Sequence, residues 1–299
     1  MIQIRVPATS ANLGPGFDCL GLALSLYNFI TIEKGSFSIA LAGPYSSGIP
    51  TDETNLVWQS MLRLWETVDF PIPAVKISLE NNIPPARGLG SSSAAIVGGL
   101  VAANAFANFP LSQHDLLQLA AGLEGHPDNI TPAFLGGVTL AVPTTSLVLP
   151  RQLVASPKLK AIAIVPAVVL NTKTSRNVLS PLVSRQDAVF NIAHTALLVE
   201  AFLKEDYTHL AEAAQDRMHQ EQRSTLIPGL SEVLQTATEA GAYCAFLSGS
   251  GPSLLALTAP GTERQIADAL IKTLSGLGTS AQALLLDFDR TGVQLLQAE

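Results

Sequence analysis

Short apolar runs alternate with longer helical patterns along this chain of 299 residues. The short runs are rich in Val, Ile and Leu, which is typical of strands, and they occur at residues 2–6, 30–33, 36–41, 75–79, 136–142, 161–170, 243–247, 253–257 and 281–288. Apolar residues at helical spacing predict helices at residues 54–65, 94–109, 111–123, 186–204, 206–219, 229–240 and 263–274. Ser112 is the N-cap candidate of the helix at 111–123. The interleaving of both element types predicts a mixed α and β fold.

Residues 143–158 interrupt this pattern with three prolines, Pro143, Pro150 and Pro157, and with several Thr and Ser residues. Proline and clustered small polar residues favour loops over regular elements. The chain length suits one large domain or two ordinary ones. We therefore expect a boundary in this region, with domains at residues 1–155 and 156–299.

The composition narrows the classes of protein that the chain could belong to. Charged residues make up only 14% of it, against roughly 25% in average domains, which predicts a large core or a buried face between two copies in a homodimer. The uncharged stretches 88–113 and 130–150 are interrupted by Gly, Ser, Thr, Asn and Pro, so neither is predicted to span a membrane. A net charge of −7 without a basic cluster argues against a nucleic-acid partner.

Cysteine content and the first residues predict a cytoplasmic location. Cys19 and Cys244 are the two cysteines, and they provide neither a disulfide framework nor a zinc spacing. The first residues have the pattern of a strand and lack the basic and apolar regions of a signal peptide.

A glycine- and serine-rich segment at residues 84–95 carries the strongest chemical signal. Gly88 and Gly90 allow a tight turn and a close approach of the backbone to a ligand, and three serines favour N-cap chemistry at the helix that follows. The N-terminus of a helix attracts phosphate through free N–H groups and its dipole. We therefore expect a nucleotide site, the alternative being a loop that only caps a buried helix. The expected ATP-binding residues here are Pro84, Pro85, Ala86, Arg87, Gly88, Leu89, Gly90, Ser91, Ser92, Ser93 and Ala94.

Two further motifs accompany this segment. One runs from Val6 to Gly21 and contains Pro-Ala-Thr-Ser-Ala-Asn-Leu-Gly-Pro-Gly-Phe-Asp, and the other covers residues 241–253 and contains Leu-Ser-Gly-Ser-Gly-Pro-Ser. The three together resemble the signature motifs of the GHMP kinases, a superfamily of ATP-dependent small-molecule kinases. The first motif is similar to that of the homoserine kinase family within it.

The resemblance implies a fold and a reaction. The fold is a two-domain α+β GHMP kinase fold, in which an N-terminal domain like domain 2 of ribosomal protein S5 precedes a ferredoxin-like α/β sandwich. The reaction is the ATP-dependent phosphorylation of the side-chain hydroxyl of L-homoserine, which gives O-phospho-L-homoserine on the route to threonine.

The resemblance also implies residues for ATP and Mg²⁺. Glu124 opens the run Glu-Gly-His-Pro-Asp-Asn at residues 124–129, and it matches a family position that contacts magnesium together with Ser92. Asn55 matches a position near the adenine, although an ordinary helix cap is an equal alternative. Arg87 could clamp a phosphate or hold its loop through a surface salt bridge, and we assign it no part in catalysis.

An amino-acid substrate requires an acid for its ammonium group and arginines for its carboxylate. Family matching provides a set of substrate-binding residues, namely Asn12, Asp18, His126, Asn129, Thr172, Arg176 and Arg223. Asp18 would bind the ammonium group, and Arg176 and Arg223 the carboxylate. With Glu124 and Ser92, Asn129 forms the expected catalytic set, in which it orients the acceptor hydroxyl. Asparagine cannot take a proton at neutral pH, so a general base stays open, with His126 as the alternative.

Two other classes of function compete with this interpretation. The first is another GHMP kinase, acting on mevalonate, shikimate or a sugar, whose substrates lack the zwitterion that Asp18 and two arginines would bind. The second is a non-catalytic ligand-binding homologue. Such a protein would be expected to have lost Glu124 or the loop serines, which this chain retains.

Overall fold

The computed structural model describes residues 1–298. Its strands are β1 (Ile2–Ala11), β2 (Leu20–Lys34), β3 (Ser38–Ala42), β4 (Val75–Glu80), β5 (Val138–Pro143), β6 (Val148–Val154), β7 (Lys160–Pro166), β8 (Cys244–Leu247), β9 (Leu254–Thr258), β10 (Ala281–Leu286) and β11 (Gln294–Ala298). Its helices are α1 (Leu56–Thr67), α2 (Ser91–Phe106), α3 (Gln113–Glu124), α4 (Ile130–Leu135), α5 (Thr172–Asn177), α6 (Arg185–Lys204), α7 (Leu210–Ala213), α8 (Gln220–Ser224), α9 (Leu230–Glu239) and α10 (Glu263–Gly276). No helix of this part of the chain is long and apolar enough to cross a membrane.

The strands of residues 1–298 form two sheets. The larger sheet has seven strands in the order β11-β1-β2-β4-β3, with β5 paired to β2 and β6 paired to β5. The smaller sheet has four antiparallel strands in the order β10-β7-β9-β8. The domain division after residue 155 stays a prediction. That position lies between β6 and β7, which belong to different sheets, and β11 returns to pair with β1 in the larger one.

Each sheet buries an apolar face against helices. On the larger sheet, α2 and α4 pack over the strands and α1 packs against α2. The Trp65 indole of α1 donates to the Ala103 carbonyl oxygen of α2 at 3.1 Å. On the smaller sheet, α9 and α10 cover the strands, and Ile266 and Leu270 of α10 are almost completely buried. The larger sheet with its helices meets the smaller sheet with its helices where β1 ends. There the Gly249 N–H of the β8–β9 turn donates to the Ala11 carbonyl oxygen at 3.2 Å.

One predicted helix is wrong. Residues 206–219 contain only the single turn of α7, and the chain then bends at Asp216. The Asp216 carboxylate accepts backbone N–H groups of Met218, His219 and Gln220 at 2.8–3.0 Å. Aspartate side chains compete with helix carbonyls for such donors, so the helical pattern of the sequence is overridden locally.

The strand β6 lies inside the region that the sequence analysis assigned to loops. Among residues 1–298 it pairs with β5 alone and forms an edge of the larger sheet. Proline is tolerated on an edge strand because no neighbour requires its missing N–H group. Pro150 therefore does not prevent strand formation here.

Candidate active site

A cleft of about 390 Å³ lies where the two sheets and their helices meet, and residues of all three sequence motifs border it. Among the predicted nucleotide residues, those bordering it are Asn55, Pro85, Ala86, Arg87, Gly88, Gly90, Ser91, Ser92 and Ala94. Among the predicted substrate residues, those bordering it are Asn12, His126, Asn129, Thr172, Arg176 and Arg223. Pro84, Leu89 and Ser93 are buried outside this lining, and Asp18 reaches the site through Arg176.

The glycines of the phosphate loop allow close backbone packing. Gly88 and Gly90 have φ angles of 75° and 68°, in the region that only glycine adopts readily. A Cβ atom on Gly88 would lie 2.2 Å from the Ser248 carbonyl oxygen, and one on Gly90 would lie 1.9 Å from Thr9 Oγ1. The loop thus lies directly on the first and third motifs and leads into α2, whose first residues border the cleft.

The loop serines differ from the prediction that they cap α2. Gly90 is the N-cap residue, and no side chain in the described part of the chain caps the helix. Ser92 Oγ and Ser93 Oγ instead donate to Glu124 Oε1 at 2.7 and 2.9 Å. A carboxylate oxygen and two hydroxyl oxygens therefore converge at the N-terminus of α2, and these hard oxygen donors suit Mg²⁺.

The local sequence explains how Glu124 reaches this position. Glu124 is the last residue of α3, which begins at the predicted N-cap Ser112 with a capping box to Asp115. Gly125 ends the helix with a φ of 85°, the left-handed conformation common after a helix terminus. The turn that follows contains His126, Asp128 and Asn129, so one helix end positions both the carboxylate and these polar groups.

Asn55 and Arg87 both hold local structure beside the cleft. Asn55 caps α1 by accepting the Val57 N–H at 2.9 Å, yet it also borders the cleft, so the cap and the ligand contact are compatible. Arg87 Nε donates to the Pro166 carbonyl oxygen of β7 at 3.1 Å. No ion pair of Arg87 occurs within residues 1–298, so the contact that holds its loop is a hydrogen bond to the smaller sheet and not the surface salt bridge that was one of the two alternatives.

Asp18 and Arg176 form a bidentate ion pair. The Arg176 guanidinium donates to both carboxylate oxygens of Asp18 at 2.6 and 3.0 Å, and each side chain is about one third exposed. The hydrogen bond to Asp18 raises the pKa of Arg176. Asn12 holds the Asp18 backbone, because its Oδ1 accepts the Asp18 N–H at 3.0 Å. The sequence analysis assigned Asp18 to the substrate's ammonium group and Arg176 to its carboxylate. In the structure these two side chains bind each other.

Arg223 has a different environment. It is 1% exposed, and its Nε and Nη1 atoms donate to the carbonyl oxygens of Ser175 and Gly249 at 3.2 and 3.0 Å. Burial, followed by the nearby Arg176 charge, lowers the pKa of Arg223 to about 10, so it stays cationic at neutral pH. Within residues 1–298 no carboxylate forms an ion pair with it. Arg223 is thus a desolvated cation at the edge of the cleft, and no carboxylate of the described residues is paired with it.

His126, Asp128 and Asn129 form a polar group near the phosphate loop. His126 Nδ1 lies 3.0 Å from Asp128 Oδ1. Burial lowers the pKa of His126, but the hydrogen bond to Asp128 and the charge of that carboxylate outweigh it, so the pKa lies above its usual value. Asn129 Oδ1 accepts the Thr9 hydroxyl at 2.8 Å. Asp128 also borders the cleft, although the sequence analysis gave it no role.

Sequence reasoning missed the contacts that join the motifs. Ser248 Oγ donates to the Gly88 carbonyl oxygen at 2.6 Å and lies 2.8 Å from Ser10 Oγ. Asn12 Nδ2 donates to the Gly249 carbonyl oxygen at 3.0 Å. The signal was present, because these residues lie inside the first and third motifs. No pattern in either motif showed which side chains would contact the other.

Comparison with known proteins identifies the family. The chain matches the GHMP kinases N terminal domain over residues 55–137 and the GHMP kinases C terminal domain over residues 198–276. It is 56% identical to a homoserine kinase of Desulfitobacterium hafniense over 99% of this chain and 100% of that protein. It is 41% identical to a homoserine kinase of Microchaete diplosiphon, covering 99% of this chain and 97% of the relative.

A solved structure agrees with these matches. The crystal structure of homoserine kinase from Cytophaga hutchinsonii superposes with a TM-score of 0.87 at 31% identity, over 99% of this chain and 97% of that one. The predicted α+β GHMP kinase fold is confirmed. The motifs, the fold and full-length relatives agree, and the chain belongs to the homoserine kinase family of the GHMP kinases.

Proposed function

We propose that this protein transfers the γ-phosphoryl group of ATP to the side-chain hydroxyl of L-homoserine and forms O-phospho-L-homoserine for threonine biosynthesis. One observation carries the proposal: a single cleft joins a phosphate loop at the N-terminus of α2 to the Asp18–Arg176 pair and the buried cation of Arg223. A nucleotide phosphate matches the first end, and an amino-acid zwitterion matches the second. The homoserine kinases of similar sequence support this assignment.

The loop and the end of α3 would hold the nucleotide. The backbone of residues 84–94 would surround the phosphates, with the first N–H groups of α2 directed at them, and Asn55 would lie near the base. Glu124 and Ser92 would hold Mg²⁺, since their oxygen atoms already lie 2.7 Å apart. When bound, the metal would neutralise charge on the phosphoryl oxygens.

The end of the cleft that contains Asp18, Arg176 and Arg223 would orient homoserine. Its ammonium group would approach Asp18, and its carboxylate would approach Arg223 and the exposed edge of Arg176. A zwitterion can bind beside an existing ion pair because it brings both charges at once. Asn12, His126 and Thr172 would complete the polar wall, and Asn129 would direct the acceptor hydroxyl towards the nucleotide.

Positioning and electrostatics would carry most of the catalysis. Phosphoryl transfer through a loose transition state does not need early removal of the hydroxyl proton. Asn129 would hold the hydroxyl, and the proton would leave late to the transferred phosphate or to water. We assign no base role to His126, whose Nδ1 lies 3.0 Å from Asp128 Oδ1 and whose pKa that carboxylate raises.

Release of ADP with a panel of acceptors tests the function. Homoserine, mevalonate, shikimate and galactose are compared at equal concentration with saturating ATP and Mg²⁺. We expect kcat/KM to be highest for homoserine and phosphate to appear on its hydroxyl. A preference for another acceptor would assign a different GHMP activity, and ligand binding without ADP release would indicate a non-catalytic homologue.

We also propose that two copies pair through α6. Its exposed face carries Val189, Ile192 and Leu203, each more than half exposed, on one stripe at helical spacing. Arg185 and Glu200 lie near opposite ends of the same stripe. In an antiparallel pair related by a two-fold axis, Arg185 would face Glu200 of the partner subunit. The apolar centre and the complementary ends fit a second copy of this chain.

Light-scattering mass in solution tests this pairing. Ile192→Glu should convert a dimer to a monomer, whereas Ile72→Glu, at an isoleucine that is 58% exposed and lies outside α6, should not. Arg185→Glu and Glu200→Arg should each weaken the dimer, and the double exchange should restore it. A wild-type monomer at micromolar concentration, or a dimer that survives Ile192→Glu, would refute the α6 interface.

A cytoplasmic location is proposed on the state of the cysteines. Cys19 and Cys244 are both free thiols. Burial, followed by the charges of Asp128 and Asp18, raises the pKa of Cys19 to about 11. An unreactive thiol beside a substrate site is compatible with a reducing compartment.

A further inference from the structure

We propose that Thr9 is a positioning residue, which fixes the Asn129 amide so that its NH₂ group, and not its oxygen, meets the acceptor hydroxyl. The proposal rests on the proposed function for the identity of the acceptor. Thr9 lies in β1, 120 residues from Asn129 in sequence, and donates to Asn129 Oδ1 at 2.8 Å. It does not border the cleft, so it would act only through Asn129.

Burial decides the orientation of the amide. Thr9 is completely buried, and within residues 1–298 its hydroxyl bonds to Asn129 Oδ1 alone. If the Asn129 amide turned over, the Thr9 proton would lose its acceptor in a site without solvent. An unsatisfied buried donor costs about 1–3 kcal/mol. The oxygen of Asn129 therefore stays on Thr9, and Nδ2 is the atom left for a ligand.

The same threonine also contacts the phosphate loop. Its backbone N–H donates to the Leu89 carbonyl oxygen at 3.1 Å, and its Oγ1 lies where a Cβ atom of Gly90 would project. Thr9 is therefore in contact with the loop that would hold the donor phosphate and with the amide that would hold the acceptor. Through these contacts it would set the separation between the reacting groups.

The orientation has a chemical consequence. An NH₂ group donates to the oxygen of the acceptor hydroxyl and cannot accept its proton. The nucleophilic oxygen would be held with a lone pair free for phosphorus, and its proton would point away from Asn129. The amide would thus locate the nucleophile without activating it, in agreement with the late loss of the proton proposed above.

Thr9→Val and Thr9→Ser separate the hydroxyl from the shape of the side chain. Valine keeps the volume but cannot donate, and serine retains the hydroxyl. We expect Thr9→Val to lower kcat about 10- to 100-fold, the range that small misplacements of reacting groups produce. The KM values for ATP and homoserine should change little. Thr9→Ser should restore most of kcat, and failure of serine to do so while valine is inactive would count against the hydroxyl.

A double-mutant cycle tests whether Thr9 acts through Asn129. In an Asn129→Ala background, Thr9→Val should cause little further loss of kcat. Equal losses in both backgrounds, with normal turnover of homoserine by the wild type, would refute the positioning role alone. Failure of the wild type to phosphorylate homoserine would instead refute the proposed function.

A spectroscopic measurement on the free protein needs no turnover. The side-chain amide signals of Asn129 in ¹⁵N-labelled protein are assigned by their loss in Asn129→Ala. These signals should shift or broaden in Thr9→Val and remain in place in Thr9→Ser. Unchanged signals in Thr9→Val would show that the amide is fixed by other contacts, and the inference would be wrong.

Discussion

Replacing Glu124 by Gln is expected to lower kcat about 100-fold or more, the loss typical when a preorganised electrostatic group is removed. Glutamine keeps an oxygen that can accept the hydroxyls of Ser92 and Ser93, which now donate to Glu124 Oε1. The change therefore removes the charge while leaving the local hydrogen bonds available. If the carboxylate helps to hold Mg²⁺, the variant should also need more Mg²⁺ to reach half-maximal rate.

Three measurements make this result specific to the site. Circular dichroism and thermal unfolding should match the wild type, because Glu124 lies at a helix end that is partly exposed. Glu66→Gln, on the exposed end of α1, is the matched control and should leave kcat unchanged. Near-normal turnover of Glu124→Gln at saturating Mg²⁺ would show that Glu124 only ends α3.

The sequence carries enough local information for most of the fold. Ser112 was predicted to begin α3, and it caps that helix in the structure. The glycine-rich segment was predicted to lead into a helix, and α2 begins at Ser91. Both depend on residues close together in the chain, whose preferences for caps and turns are intrinsic. The bend at Asp216 was missed because a side chain there replaces helix carbonyls as the acceptor.

The site was predictable as a set of residues but not as an arrangement. Asp18 and Arg176 are 158 residues apart and Thr9 and Asn129 are 120 apart, so no spacing rule relates either pair. Sequence alone assigned Asp18 and Arg176 to opposite groups of the substrate, without the bond between them. Burial is equally hidden, since nothing beside Arg223 in the chain shows that it lies in the interior. Such facts follow from the packing of the two sheets.

The buried charge of Arg223 makes it the more informative of the two substrate arginines. Arg176 already has Asp18 as its counter-ion, and its removal would also leave Asp18 unpaired. The hydrogen-bond partners of Arg223 among the residues described are all neutral, namely the carbonyl oxygens of Ser175 and Gly249 and a ring nitrogen of His219. A substrate carboxylate would therefore gain most from Arg223, where solvent screens the interaction least.

Arg223→Met is expected to raise the KM for homoserine about 10- to 100-fold, since a hydrogen bond to a charged group is worth about 1.5–3 kcal/mol. The KM for ATP should change little, and Arg63→Met on the exposed face of α1 is the matched control.

Because Arg223 is buried, its replacement also lowers stability, and a second substrate separates the loss of binding from the loss of folded protein. Homoserinol keeps the ammonium group and lacks the carboxylate, so the wild type should use it poorly. Arg223→Met should lose that discrimination, whereas a fall in folded protein would reduce both activities equally and preserve their ratio. Unchanged discrimination in Arg223→Met would show that the substrate carboxylate binds elsewhere.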